Sequence, residues 1–207
     1  TALEVKGDDH LIQDNIIGVD ALGSEVGSCG RGLVVDAGYT RVLSNTVVRT
    51  ALEPFRMDGT QMSLNALYYQ GNLSWDSTAP TYMEFGNLVP EARKLFTPSV
   101  VLSINVAGGS TTVSGVAHPD APCPYCQVEL FLDDLDPLTE TLESVRIVQS
   151  DINGAWSTVL PFALPMDRAL RTASTALNYG IIANFDGPST SRVSTAVYSR
   201  TGATPPP

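Results

Sequence analysis

The chain has 207 residues, 43% of them apolar, enough to bury one or two cores, while no run reaches the roughly 18 apolar residues that cross a bilayer. Twelve basic residues stand against 22 acidic ones, for a net charge of −10, and they are scattered rather than clustered, so nucleic acid is excluded as a partner. Lysine occurs only at Lys6 and Lys94, and low charge with abundant Thr, Ser, Gly and Asn suits an extracellular or cell-surface β-protein whose export signal is removed or lies outside this sequence.

The first seventy residues repeat one pattern: an apolar-x-apolar strand, then apolar-x-x-Asn-x-apolar. The copies are Leu3-x-Val5 with Ile12 to Ile17, Leu33-x-Val35 with Val42 to Val47, and Phe55-x-Met57 with Met62 to Leu67. Self-similarity at such a period marks units that bury an apolar face only by stacking. Within each copy the apolar residues alternate, which points them to one side of a strand. Ile12, Val42 and Met62 are expected to stack inside, as are Ile17, Val47 and Leu67. Asn15, Asn45 and Asn65 are expected to form a ladder at a sharp corner, because asparagine tolerates left-handed backbone and bonds nearby main chain. Helices are disfavoured by short segments rich in Val, Ile and Thr, and by breaks at residues 23–32 and Asp58-Gly59.

These residues, in particular Asp14-Asn15-Ile16-Ile17-Gly18-Val19-Asp20-Ala21-Leu22-Gly23 followed by Gly32-Leu33-Val34-Val35-Asp36, resemble right-handed parallel β-helix repeat proteins of bacterial exteriors. The resemblance implies an all-β chain: a short right-handed parallel β-helix followed by an immunoglobulin-like antiparallel sandwich. It brings no catalytic residues with it.

The coil is expected over residues 1–95, with Gln70 to Val89 wrapping the last open rung and Trp75, Tyr82, Met83 and Phe85 capping its core. Over 96–201 the rhythm changes to longer alternating runs, from Val100–Val106 to Val193–Tyr198, which read as a sandwich. The Gly108-Gly109 and Asn153-Gly154 turns agree with hairpins there. Residues 202–207 end in prolines and read as an extended tail or linker.

Cys123-Pro124-Tyr125-Cys126 matches a redox dithiol in sequence alone, because a strand-like run follows where that chemistry needs a helix N-terminus. A disulfide between Cys123 and Cys126 is the expected state, and a zinc site recruiting His118 and Cys29 would require distant segments to converge. Cys29 is expected to be a lone thiol or an intermolecular partner, and His10 a solvated turn residue. Asp133, Asp134 and Asp136 read as an acidic hairpin loop, with calcium as the competing use. Asp36 and Asp58 occupy matching places in successive rungs and are the one candidate carboxylate pair. Asn72-Leu73-Ser74 is a weak glycosylation signal.

No catalytic residue, metal or cofactor is expected. The first reading is a structural or adhesive surface protein that associates with itself or with other surface proteins. Its coil end at Leu3 and Val5 carries no cap, and would stack head-to-tail on the final rung or the sandwich of a neighbouring copy. The second is the carboxyl-terminal part of a glycan-active β-helix enzyme, a lyase or hydrolase, whose sandwich binds glycans through Tyr125, Tyr179 and Tyr198.

Overall fold

The structure is a computed structural model and describes residues 1–57, 68–79, 98–117, 123–177, 189–191, 193–194 and 196–198. Every regular element among them is a strand. No helix there is long and apolar enough to cross a membrane.

The first half is a short parallel β-helix. Its first rung holds β1 (Leu3–Lys6), β2 (Leu11–Gln13) and β3 (Ile16–Ile17). The second holds β4 (Leu33–Asp36), β5 (Arg41–Leu43) and β6 (Thr46–Val48). The third holds β7 (Phe55–Met57), β8 (Tyr68–Gln70) and β9 (Leu73–Trp75). Equivalent strands stack in three parallel sheets, ordered β1-β4-β7, β2-β5-β8 and β3-β6-β9. Leu3 lies over Leu33 over Phe55, and Ile12 over Val42 over Tyr69. Most enclosed side chains are those the alternation selects: Leu33, Val35, Val42 and Val47 are fully buried, with Ile12 and Phe55 nearly so, and Tyr69 joins them.

One register departs from expectation. The third rung places Tyr69 under Val42 and Ser74 under Val47, where the repeat suggested Met62 and Leu67. Met62, Asn65 and Leu67 lie outside the described residues. The third unit therefore holds a longer insertion between β7 and β8, and its corner is Gly71-Asn72 instead of Leu64-Asn65. The corner chemistry also differs in detail. The left-handed residue is the one before each asparagine, Asp14, Ser44 and Gly71, with φ of 56°, 53° and 66°.

The second half is a two-sheet antiparallel sandwich. β10 (Val100–Ala107), β11 (Ser110–Val116) and β14 (Ala155–Leu160) form one sheet in the order β10-β11-β14. β12 (Gln127–Asp133), β13 (Glu143–Gln149), β15 (Ala169–Ala176) and β16 (Ser189–Thr190) form the other, ordered β13-β12-β15-β16. Val113, Val128, Leu130, Leu160 and Leu170 are fully buried between the sheets. Trp156 is buried with them, its indole N–H donating to Ser99 Oγ at 2.7 Å. Gly115 makes room for that ring, since a Cβ there would lie 2.5 Å from Trp156 Cζ2.

The coil strands end at Trp75 and the sandwich strands begin at Val100, so the expected boundary at 95/96 falls outside the described residues, as does the tail at 202–207.

Candidate functional site

The two ends of the coil are chemically unlike, and this asymmetry is the principal feature of the molecule. At the lower end the sandwich receives the backbone N–H groups that the last rung would otherwise leave unpaired. Tyr69 N donates to Thr190 Oγ1 at 3.0 Å, and Gly71 N to the Glu129 carboxylate at 3.0 and 3.1 Å. Ser74 and Thr141 exchange both backbone bonds at 3.0 Å, and Asp76 N donates to Glu140 Oε1 at 2.6 Å. The Tyr68 hydroxyl adds a bond to Gln127 Oε1 at 3.1 Å. These four donors of β8, β9 and their flanks thus find acceptors, as buried backbone requires.

β12 makes this closure possible. Val128 and Leu130 point into the sandwich, so Glu129 and Phe131 fall on the opposite face, against the coil, and β15 is buried along its whole length. The expectation that residues 70–89 cap the coil is corrected at Gln70 and Trp75. Gln70 and Trp75 are themselves rung residues, Trp75 Nε1 donates to Glu25 Oε1 at 2.9 Å, and Tyr82, Met83 and Phe85 lie outside the described residues. Among the described residues, it is the sandwich that covers this end.

The joint holds a partly open pocket of about 30 Å³ lined by Phe55, Tyr69, Glu129, Phe131, Thr141 and Thr190 among others. The Tyr69 hydroxyl is buried beside it without a hydrogen-bond partner. Burial pushes that hydroxyl's pKa well up. Burial also raises the Glu129 carboxyl, while Ser144, whose hydroxyl donates to it, and Gly71 pull the other way. Glu140 is pushed up to about 7, first by burial and then by the repulsion of Asp136, Asp134 and Asp133, against the pull of the Asp76 N–H.

At the upper end the chemistry is open. β1, β2 and β3 are the edge strands of their sheets, and Leu3, Val5 and Ile17 are only partly buried against the coil core. An asparagine ladder runs down from this edge through Asn15, Asn45 and Asn72. Asn15 N and Nδ2 donate to Asn45 Oδ1 at 3.1 and 2.9 Å, and Asn45 N and Nδ2 donate to Asn72 Oδ1, both at 3.0 Å. Each lower amide also reaches up, Asn45 Nδ2 to Ile12 O at 2.9 Å and Asn72 Nδ2 to Val42 O at 2.7 Å. The ladder therefore has a direction, with donors facing down onto side-chain oxygens. Asn15 Oδ1, at the top, receives no donor among the described residues.

The remaining candidates are dispersed. Cys123 and Cys126 form a disulfide, with Cα atoms 5.6 Å apart. Both are buried in the sandwich core just before β12, so neither sulfur is at a helix N-terminus or open to a thiol substrate. Cys29 is free and exposed on the coil, and His118 lies outside the described residues. The ring of His10 bonds Lys6 O at 2.9 Å, as a turn residue does. Tyr125 is exposed in the disulfide loop, Tyr198 is half-buried, and Tyr179 lies outside the described residues, as does Asp58, the partner proposed for Asp36.

Asp136 is not part of the tightest acidic group. Asp133, Asp134 and Glu140 bring one carboxylate oxygen each within 4.8 Å of one another, whereas Asp136 turns its side chain to Leu138 N at 2.8 Å. Asp133 is already held by Arg171, whose guanidinium also donates to Ser194 O at 3.0 Å and Leu138 O at 2.8 Å. Burial raises the Asp133 carboxyl and Arg171 opposes that shift. The glycosylation signal is not usable in the folded chain, since Asn72 is buried in the ladder and its Nδ2 is engaged.

Sequence reasoning missed Glu129, Glu140, Thr141 and Thr190, the residues that close the coil. One signal was available: Phe131 beside Glu129 on the face opposite Val128 and Leu130 implies a strand covered on both sides. No protein-family model, no curated protein and no solved structure matches this chain.

Proposed function

We propose that this chain is a non-enzymatic structural or adhesive module of an extracellular surface protein, with the upper coil edge at Leu3 and Val5 as its assembly surface. The observation that carries the reading is the asymmetry of the ends. Along β8 and β9 the lower edge is joined to the sandwich by four backbone donors, those of Tyr69, Gly71, Ser74 and Asp76, while no described strand pairs with the outer side of β1, β2 or β3. An open strand edge over partly buried apolar side chains is a template for pairing, and among the described residues β1, β2 and β3 offer that template.

The disulfide fits an oxidising, extracellular setting. A head-to-tail filament is the self-associating form of this reading. Because the last rung is occupied by its own sandwich, a neighbouring copy would offer the sandwich as its seat. The glycan-active reading draws less support. Its tyrosines form no described platform, and the side chain of Asp36 has no described carboxylate opposite.

Amide hydrogen exchange on the native material, compared with the isolated chain, tests the proposal. The amides of Leu11 and Ile16, whose equivalents Arg41 N and Thr46 N bond to the rung above, should exchange slowly in the native assembly and fast in isolation, and electron microscopy should show the chain joined through that edge. Equal fast exchange in single particles would remove the assembly surface. Product release from an acidic polysaccharide that is lost with Asp36→Asn would replace the reading with the enzymatic one.

A further inference from the structure

We infer that the partner of the upper edge is an asparagine-cornered parallel rung from a coil segment that carries no sandwich directly beneath it, and not a second copy of this chain. The inference rests on the reading of that edge as the assembly surface and specifies what fits there.

The ladder supplies the specificity. At both internal steps, the corner asparagine above gives its backbone N–H and its Nδ2–H to the Oδ1 below, at 2.9 to 3.1 Å. The asparagine below returns one Nδ2–H to the carbonyl three residues before the upper corner, as Asn45 does to Ile12 and Asn72 to Val42. Asn15 stands at the top of this series, in the same corner geometry, preceded by a left-handed Asp14 with φ of 56°. Its Oδ1 is an acceptor shaped for two N–H donors from above. A strand adding in the antiparallel sense, or a flat sheet edge, offers the backbone donors without the corner amide.

A second copy does not meet the requirement. Its lower rung presents the donors of Gly71 and Asp76 to Glu129 and Glu140 of its own sandwich, so its coil end is already filled. The seat calls for a rung whose downward face is free, with apolar residues placed over Leu3, Val5, Ile12 and Ile17.

The test is a variant that supplies such a rung in cis: residues 33–54 duplicated and placed directly before Leu3. Residue 54 already precedes the equivalent strand β7, so the junction reproduces a native one. Protection of the Leu11 and Ile16 amides, whose register equivalents Arg41 N and Thr46 N donate to the rung above them, should rise at least about tenfold over the parent chain. The gain should vanish when the asparagine in the duplicated copy is changed to alanine. No gain, or a gain indifferent to that asparagine, overturns the inference.

Should the duplication fail to fold, a peptide of residues 33–54 added to the parent chain serves as the probe. The Asn15 side-chain amide resonances should shift with it and stay unmoved with the Asn45→Ala peptide. Unmoved resonances with both peptides also overturn the inference. Ultracentrifugation of the parent separates the two levels of the argument. Self-association abolished by Asn15→Ala would make a second copy the occupant, overturning this inference and sustaining the assembly reading. Native material whose upper edge is uncovered would defeat both.

Discussion

Both carboxylate oxygens of Glu129 lie at hydrogen-bond distance from the backbone nitrogen of Gly71, 3.0 and 3.1 Å away, although the two residues are 58 apart in sequence. Gly71 is the left-handed corner residue of the last rung and Glu129 is on the coil-facing side of β12, so this contact ties the end of one architecture to the middle of the other. Glu129→Ala leaves a buried N–H without an acceptor and should cost about 2–3 kcal/mol. Glu129→Gln keeps an acceptor oxygen and should cost less than about 1 kcal/mol. Urea unfolding of the two variants gives the comparison, and equal losses would mean the contact is incidental.

The joint should respond to pH through Glu140. Its carboxyl is raised on folding from the ordinary 4.5 to about 7, so the folded state holds this proton more tightly than the unfolded state does. Its contribution to stability is complete below about 4.5 and is lost as pH rises through about 7. The stability of the parent minus that of Glu140→Gln should therefore fall across that interval and level off above it. Chemical denaturation at a series of pH values measures the difference, and a difference that rises with pH would reverse the assignment.

The ladder should weaken unevenly along its length. Asn45 is fully buried and bonded on both sides, so Asn45→Ala strands donors and acceptors of both neighbouring rungs and should cost about 3 kcal/mol or more. Asn15 is exposed, and Asn15→Ala in the isolated chain should cost less than about 1 kcal/mol. Thermal unfolding of the pair resolves the ratio.

Tyr69→Phe should stabilise the protein. The hydroxyl is buried without a partner, which carries a desolvation penalty of about 1 kcal/mol or more, and phenylalanine keeps the edge-on contact with Phe55 at 6.5 Å. A rise in Tm of about 2–4 °C is expected for a chain of this size. A fall would show that the hydroxyl is bonded in solution.

Alkylation without reductant should label one thiol, at Cys29, and all of Cys29, Cys123 and Cys126 after reduction in denaturant. Mass spectrometry reads the increments directly. Three labels without reductant would defeat the disulfide.

The local elements are legible in the sequence because their cause is local. Alternation of Leu33 with Val35 makes a strand with one apolar side, the repeat spacing stacks Ile12 on Val42, and the Gly108-Gly109 pair folds β10 back along β11. The Asn153-Gly154 pair, expected to close a hairpin, instead carries the chain from β13 in one sheet to β14 in the other. The third register depends on contacts distant in sequence. Phe55 was recognisable by its own pattern, but the segment between β7 and β8 contains a second candidate corner, Leu64-Asn65, and nothing within that stretch ranks it against Gly71-Asn72. What ranks them is burial. Asn72 sits under Asn45 because Tyr69 and Ser74 then meet Val42 and Val47 above, while Gly71, Ser74 and Asp76 meet Glu129, Thr141 and Glu140 below. Those partners lie 58 to 67 residues away, and a pairing at such a distance leaves no periodic trace in either segment. The closed lower end, and with it the distinction between a sealed edge and an open one, exists only once the chain has folded back on itself.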